Sequence, residues 1–307
     1  MRIVYLGTPD FAVMPFEKLY SMKDVEVIAV VTNKDKPVGR KHILTAPPVK
    51  IKAIEYSIPV FQYDKIRVEG VDDLKNLAPD LMVTCAFGQI LSKEILDIPK
   101  LGVINIHASL LPKYRGASPI NYAILKGEKV TGITVMKTDV GIDTGDMIYK
   151  KELAIGEEET AGELFSRLSV LGAECIEKVI LDLLDGKISL TKQNEEEATY
   201  TKIIKKELAK IDFNNSAEEI VNQIRAFNPS PVAYAMLNNE PFKIYKAKAT
   251  DEKGEAGKVI VSDKRLVIGC GKGAIELLKV QKCGGKTLDI KNFILGNKLP
   301  LGTEFKW

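Results

Sequence analysis

Cysteine is sparse in this sequence: Cys85, Cys175, Cys270 and Cys283 are widely scattered and form no CxxC pair. Such spacing suggests neither a zinc site nor a disulfide framework, and it fits a reducing, cytoplasmic setting. Histidine is sparser still, with His42 and His107 alone, and no partner ligands lie at metal-binding spacing from either. No apolar run approaches the roughly 20 residues that span a bilayer, so no membrane association is expected. The chain enters a strand pattern at its first residues, MRIVYLG, without the features of a secretion signal. The turn after that strand, Gly7-Thr8-Pro9-Asp10-Phe11-Ala12, lacks GxGxxG, and no P-loop occurs, which disfavours NAD. No serine or cysteine stands out as a nucleophile, so attack by a substrate group is expected rather than a covalent intermediate.

What is present is a two-domain composition. The 307 residues, 45% hydrophobic and 28% charged, exceed one comfortable core. Short apolar strands are expected at 2–6, 25–32, 58–62, 80–86 and 103–107, with helical stretches after residue 10 and near 47–56, 71–78 and 120–125. This alternation argues for a parallel sheet covered on both faces. A hairpin pair follows at 132–138 and 146–155, then a long helix capped by Thr160 and Glu163 and stopped at Gly186. The spacing predicts a first domain over 1–189, a polar, aperiodic linker over 190–207, and a second domain over 208–307. The second domain combines a capped helix at Ser216 with short strands, the pattern of a small β-barrel or sandwich. Its charge is uneven with the rest: 208–307 holds 16 Lys/Arg against 11 Asp/Glu, while 1–207 holds 28 against 30. A basic C-terminal part hints at an anionic partner, although a lysine-rich solvated surface explains the charge equally well.

One stretch, NIHASLLPKYRG at 105–116, looks like a site. On a strand, Asn105 and His107 point the same way, and the strand then breaks into a Pro/Gly loop. Asn105 offers an amide donor for an oxyanion, and His107 can move a proton. Asp143, in the tight Gly141-Ile142-Asp143-Thr144-Gly145 loop, would orient the imidazole and favour its cationic form. Together they suit a carbonyl becoming tetrahedral. The purely architectural reading is that Asn105 caps a turn, His107 satisfies a backbone carbonyl and Asp143 shapes its loop. A basic loop at 33–52, NKDKPVGRKHILTAPPVKIK, carries Lys34, Lys36, Arg40, Lys41, Lys50 and Lys52 against Asp35 alone. It could grip phosphates, or simply be solvated.

These residues also carry a resemblance. NIHASLLPKYRGASPIN followed by TGITVMKTDVGIDTGDMI resembles the folate-dependent formyltransferases, and the likeness extends to RIVYLGTPDFAV, DKPVGRK, CAFGQIL, ATYTKIIKKELAKIDF and IRAFNPSPVAY. It implies an α/β fold with a Rossmann-like formyltransferase domain and a C-terminal, OB-like β-barrel domain that holds tRNA. By the same resemblance, Asn105, His107 and Asp143 match the catalytic trio. Ser109, Leu110, Leu111 and Pro112 match the folate-contacting turn. Phe87, Gly88, Gln89, Ile90 and Leu91, with Val140 and Gly141, would line the pteridine pocket. Arg40, beside Lys41, matches the arginine that approaches the acceptor end of tRNA. The implied donor is 10-formyltetrahydrofolate and the implied acceptor initiator methionyl-tRNA, with no metal required and nothing demanding more than a monomer. Ser230 stands where the family often has a bulky residue, and Val232 where it has small ones. The rival readings are a formyltransferase for glycinamide ribonucleotide or an amino-sugar nucleotide, and a non-catalytic RNA-binding protein.

Overall fold

The computed structural model of the chain describes residues 1–39 and 42–306. Its contacts group into two compact units. The first comprises Met1–Gly116, Val130–Ala154 and Phe165–Tyr200. Its centre is a seven-stranded sheet of β1 (Arg2–Gly7), β2 (Glu26–Thr32), β3 (Val60–Gln62), β4 (Leu81–Cys85), β5 (Val103–His107), β6 (Val130–Lys137) and β7 (Met147–Ala154). They lie in the order β7-β6-β5-β4-β1-β2-β3, with β3 to β5 parallel across the sheet and β6 and β7 antiparallel. The apolar runs read in the sequence are these strands, and Ile3 to Leu6 are fully buried because helices cover both faces. Helix α1 (Val13–Ser21) connects β1 to β2, and α2 (Pro48–Glu55) connects β2 to β3.

The chain leaves β1 in one direction for β2 and β3, then returns to place β4 on β1's other side. Strand order therefore reverses between β1 and β4, where open α/β sheets receive ligands at the carboxyl ends of their strands. Register aligns those ends: Gly7 faces Cys85, and Thr84 faces Asn105. The long helix Ala161–Leu184 is brought close to β5 at Gly172, where an added Cβ would lie 3.3 Å from Ile106 Cγ2.

The second unit contains Ala117–Lys129, Ile155–Leu164 and the chain from Thr201 onward. Its strands run in the order Val259–Ser262, Leu266–Gly269, Ala274–Gln281, Glu240–Thr250, Tyr234–Leu237, Phe305–Lys306. The sheet curls until its ends meet: Phe305 N donates to Gly257 O, and Val259 N to Thr303 O. The expected β-barrel is thus present, around a core that includes Phe213, Phe242, Phe293 and Phe305. Contacts do not follow the linear division at 189 and 208. The helix Pro119–Leu125 packs with Ala217–Ala226, and Asn121 Nδ2 donates to Ala226 O at 2.7 Å. Residues 190–200, expected as linker, group with the first unit. Val232 is buried with φ at 71°, a left-handed conformation that strains a β-branched side chain and suits the small residues expected there.

Two substitutions test these packing arguments. At Gly132 a Cβ would meet Lys151 O, which is backbone, and Leu110 Cδ2 at 2.6 Å. Gly132→Ala is therefore expected to destabilise by about 1–3 kcal/mol, read as a lowered unfolding midpoint. Ser216 Oγ accepts from Glu219 N at 3.3 Å while Glu219 Oε2 accepts from Ser216 N at 2.9 Å. Ser216→Ala should cost about 0.5–2 kcal/mol at neutral pH. The Ser216 hydroxyl and then its N–H hold the Glu219 carboxyl below its ordinary value of 4.5. A lowered folded value stabilises above the unfolded one and loses that share as pH falls, so the difference between wild type and Ser216→Ala should shrink at about pH 4 in thermal unfolding.

Candidate active site

β5 ends at His107, and the alternation of a strand puts Asn105 and His107 on one face. The pairing with β6 sets Asn105 opposite Met136 and His107 opposite Thr134. Onto that face comes Asp143, from the turn that joins β6 to β7. Asn105 Nδ2 donates to Asp143 Oδ1 at 3.3 Å, and His107 Nδ1 lies 3.5 Å from Asp143 Oδ2. The second carboxylate oxygen also accepts the Gly116 N–H at 2.7 Å. Two side chains of one strand and the Gly116 N–H therefore meet around a carboxylate distant from them in the sequence.

The orientation of each is set by a second partner. Thr84 Oγ1 donates to Asn105 Oδ1 at 2.9 Å, which turns the amide nitrogen toward the carboxylate. A carboxylate can only accept, so that side of Asn105 must be the NH2 group. One of its two N–H bonds is then left without a partner among the described residues. The buried His107 ring has Nε2 3.0 Å from Tyr114 O, and a carbonyl only accepts, so Nε2 carries the hydrogen there. His107 does satisfy a backbone carbonyl, as the architectural reading expected, while its other nitrogen faces Asp143. Cys85, at the end of β4, is excluded as a nucleophile, because burial pushes its thiol up to about 12.

Asp143 adopts φ 52°, a left-handed conformation uncommon outside glycine. Its loop is braced from within by Asp139, whose carboxylate accepts from Gly141 N at 3.0 Å and Thr144 Oγ1 at 2.7 Å. It is braced from outside by Gln193, whose Nε2 donates to Asp143 O at 2.8 Å and Gly145 O at 2.7 Å. Gln193 Oε1 in turn accepts from Arg115 Nε at 3.0 Å. Arg115 is fully buried, paired by both terminal nitrogens with Glu195 at 2.7 and 2.8 Å, and bonded to Tyr200 OH at 3.0 Å. The Glu195 carboxylate raises the guanidinium's pKa, and the guanidinium lowers that of Glu195. The polar stretch 193–200 is thus a strap on the site. Its residues gave no periodic signal; their polarity was the only clue.

The other residues assigned from the resemblance fall into two groups. Phe87 and Leu91 are buried in the sheet's core, Leu111 packs with Met136 and Met147, and Ser109 Oγ donates to Lys113 O at 2.6 Å. Gln89 spends its side chain on Ile66 N, Asn33 Oδ1 and Tyr63 O. These side chains are spent on packing and on holding the turns. Pro112 is buried after a cis peptide with Leu111, while Leu110 is partly exposed. Facing solvent are Gly88, Gly141 and the apolar side chains of Ile90 (72% exposed), Val140 (74%) and Ile142 (65%). They stand on two turns, one after β4 and one between β6 and β7.

Arg40 and Lys41 lie outside the described residues. The loop that carries them is anchored at its feet, where Lys50 Nζ donates to Asp35 Oδ1 at 2.8 Å and to Gln62 Oε1 at 2.8 Å. The Lys50 ammonium, then the Gln62 amide, lowers the Asp35 pKa. Among the described residues no group of three or more His, Cys, Asp or Glu is arranged to hold a metal ion, and no helix is long and apolar enough to cross a membrane.

Comparison with known proteins bears on this arrangement. Residues 1–180 match the Formyl transferase family, and residues 203–298 match Formyl transferase, C-terminal domain. A methionyl-tRNA formyltransferase of Geobacter sulfurreducens is 45% identical over 99% of this chain and 96% of its own. Among solved structures, WlaRD, a sugar 3N-formyl transferase crystallised with dTDP and 5-N-formyl-THF, is 23% identical and shares the fold with a TM-score of 0.69, over 93% of this chain and 99% of its own. HypX from Aquifex aeolicus, in complex with tetrahydrofolic acid, is 17% identical with a TM-score of 0.62 over 99% of this chain, which spans 50% of that protein's length. By its full-length relatives and both family matches, the chain belongs to the formyltransferase family.

Proposed function

We propose that the protein transfers the formyl group of 10-formyltetrahydrofolate to the α-amine of methionyl-initiator tRNA, acting as a cytoplasmic monomer. The observation that carries this reading is the convergence of Asn105, His107 and Asp143 on one face at the end of β5, in a chain of this family. The folate donor supplies an activated formyl group, held beside Ile90, Val140 and the glycines at 88 and 141. The acceptor amine attacks the formyl carbon. Asn105, through its uncommitted N–H, donates to the oxygen as it becomes anionic. His107 Nδ1 and Asp143, already in contact, take up the amine's proton; the tetrahedral adduct then collapses, the bond between the formyl carbon and N10 breaks, and the proton passes to N10 as tetrahydrofolate leaves. The basic loop around Arg40 and Lys41 and the basic C-terminal part provide the charge that tRNA phosphates require. An acceptor as small as an amino-sugar nucleotide would need neither.

Labelled formyl should move from the folate donor to charged initiator tRNA, and far less to charged elongator tRNA. An excess of amino-sugar nucleotide should not compete. Preferential formylation of the sugar would overturn the acceptor assignment. Loss of one oxyanion donor costs about 10²–10³ in turnover, so Asn105→Ala should fall by that factor with its unfolding midpoint kept. Near wild-type turnover in Asn105→Ala would remove the residue from the mechanism.

A further inference from the structure

Gln193 is placed where the strap and the site meet, and all of its polar valences but one acceptor lone pair are committed. It receives Arg115 Nε on its oxygen and gives both N–H bonds to backbone carbonyls of the Asp143 loop, at Asp143 and Gly145. The loop needs such an outside hold. Asp143 sits at φ 52°, and Gly145 presses so closely on Lys137 O that an added Cβ would collide with it. Arg115 is itself immobilised by a bidentate pair with Glu195 and by the Tyr200 hydroxyl, with that ring 5.7 Å from the guanidinium carbon. The next residue, Gly116, donates its N–H to Asp143 Oδ2. The Asp143 backbone and carboxylate are therefore both tied to the same two-residue stretch, one through Gln193 and one directly.

We propose that Gln193 is a positioning residue for formyl transfer, fixing the Asp143 carboxylate against Asn105 and His107 through the loop backbone. This rests on the reading that Asp143 acts in the reaction. A displacement of the loop by a fraction of an ångström lengthens contacts that are already 3.3 and 3.5 Å, where alignment decides whether they act at all. Gln193→Leu substitutes an apolar side chain one bond shorter and removes the three hydrogen bonds. Gln193→Glu keeps an acceptor for Arg115, removes the donors to the loop and sets a carboxylate oxygen against the two loop carbonyls.

The experiment is single-turnover and steady-state formyl transfer by the full chain, with 10-formyltetrahydrofolate and charged initiator tRNA. The variants are Gln193→Leu, Gln193→Glu, Asp143→Asn and the double variants. The expected result for both Gln193 variants is a kcat lowered about 10–100-fold, with KM for either substrate within about twofold. In the Asp143→Asn background the same changes should cost less than about threefold, because they act through the missing carboxylate. Wild-type kcat in the Gln193 variants, or equal losses in the presence and absence of the Asp143 carboxylate, would overturn the proposal while leaving the site reading intact. Wild-type turnover in Asp143→Asn would instead overturn the site reading and this proposal with it. Should Gln193→Leu fail to fold, the Gln193→Glu cycle decides.

Discussion

One carboxylate organises the site. Asp143 receives a backbone N–H at 2.7 Å on one oxygen and a side-chain amide at 3.3 Å on the other, with an imidazole nitrogen 3.5 Å away. None of these partners is adjacent to it in the chain, and its own backbone is in a conformation that costs energy to hold. The rest of the first unit supplies that hold. The β4–β5 ladder aligns Thr84 with Asn105, the antiparallel β5–β6 ladder sets Lys137 opposite Ile104 so that the loop beyond it reaches Asn105, and Gln193 ties the loop to buried Arg115.

Much of the fold was legible because burial leaves a periodic trace. The near-continuous apolar runs at 2–6, 25–32 and 80–86 could only be interior strands, and the Ser216/Glu219 and Thr160/Glu163 pairs marked helix starts that the structure contains. Asn105 and His107 were legible from the two-residue period of a strand. Residues 193–200 were not. A hydrogen-bonding strap needs polar residues in irregular order, and such a stretch reads the same as a solvated linker. The division into units was hidden for a related reason: 117–129 and 155–164 join the barrel's unit through contacts that no local pattern encodes.

The residues expected to face folate show a different limit. Residue type did not separate Leu91 and Leu111, which are core, from Ile90, which is exposed, although the pairs are chemically alike. In a turn the side chains follow no period, so facing cannot be counted off. Ser109 and Gln89 likewise look like ligand contacts by type, yet spend their side chains on neighbouring backbone and side-chain groups. What remains uncommitted is one amide N–H at Asn105, while Ile90, Val140 and Ile142 expose apolar side chains.

The most direct measurement is a crystal structure with 5-formyltetrahydrofolate bound. The account predicts the ring system against Ile90, Val140 and the glycines at 88 and 141. It predicts the formyl group beside the Asn105 amide, with Asp143 still bonded to the Gly116 N–H. A folate bound elsewhere, or a formyl group out of reach of Asn105, His107 and Asp143, would contradict it.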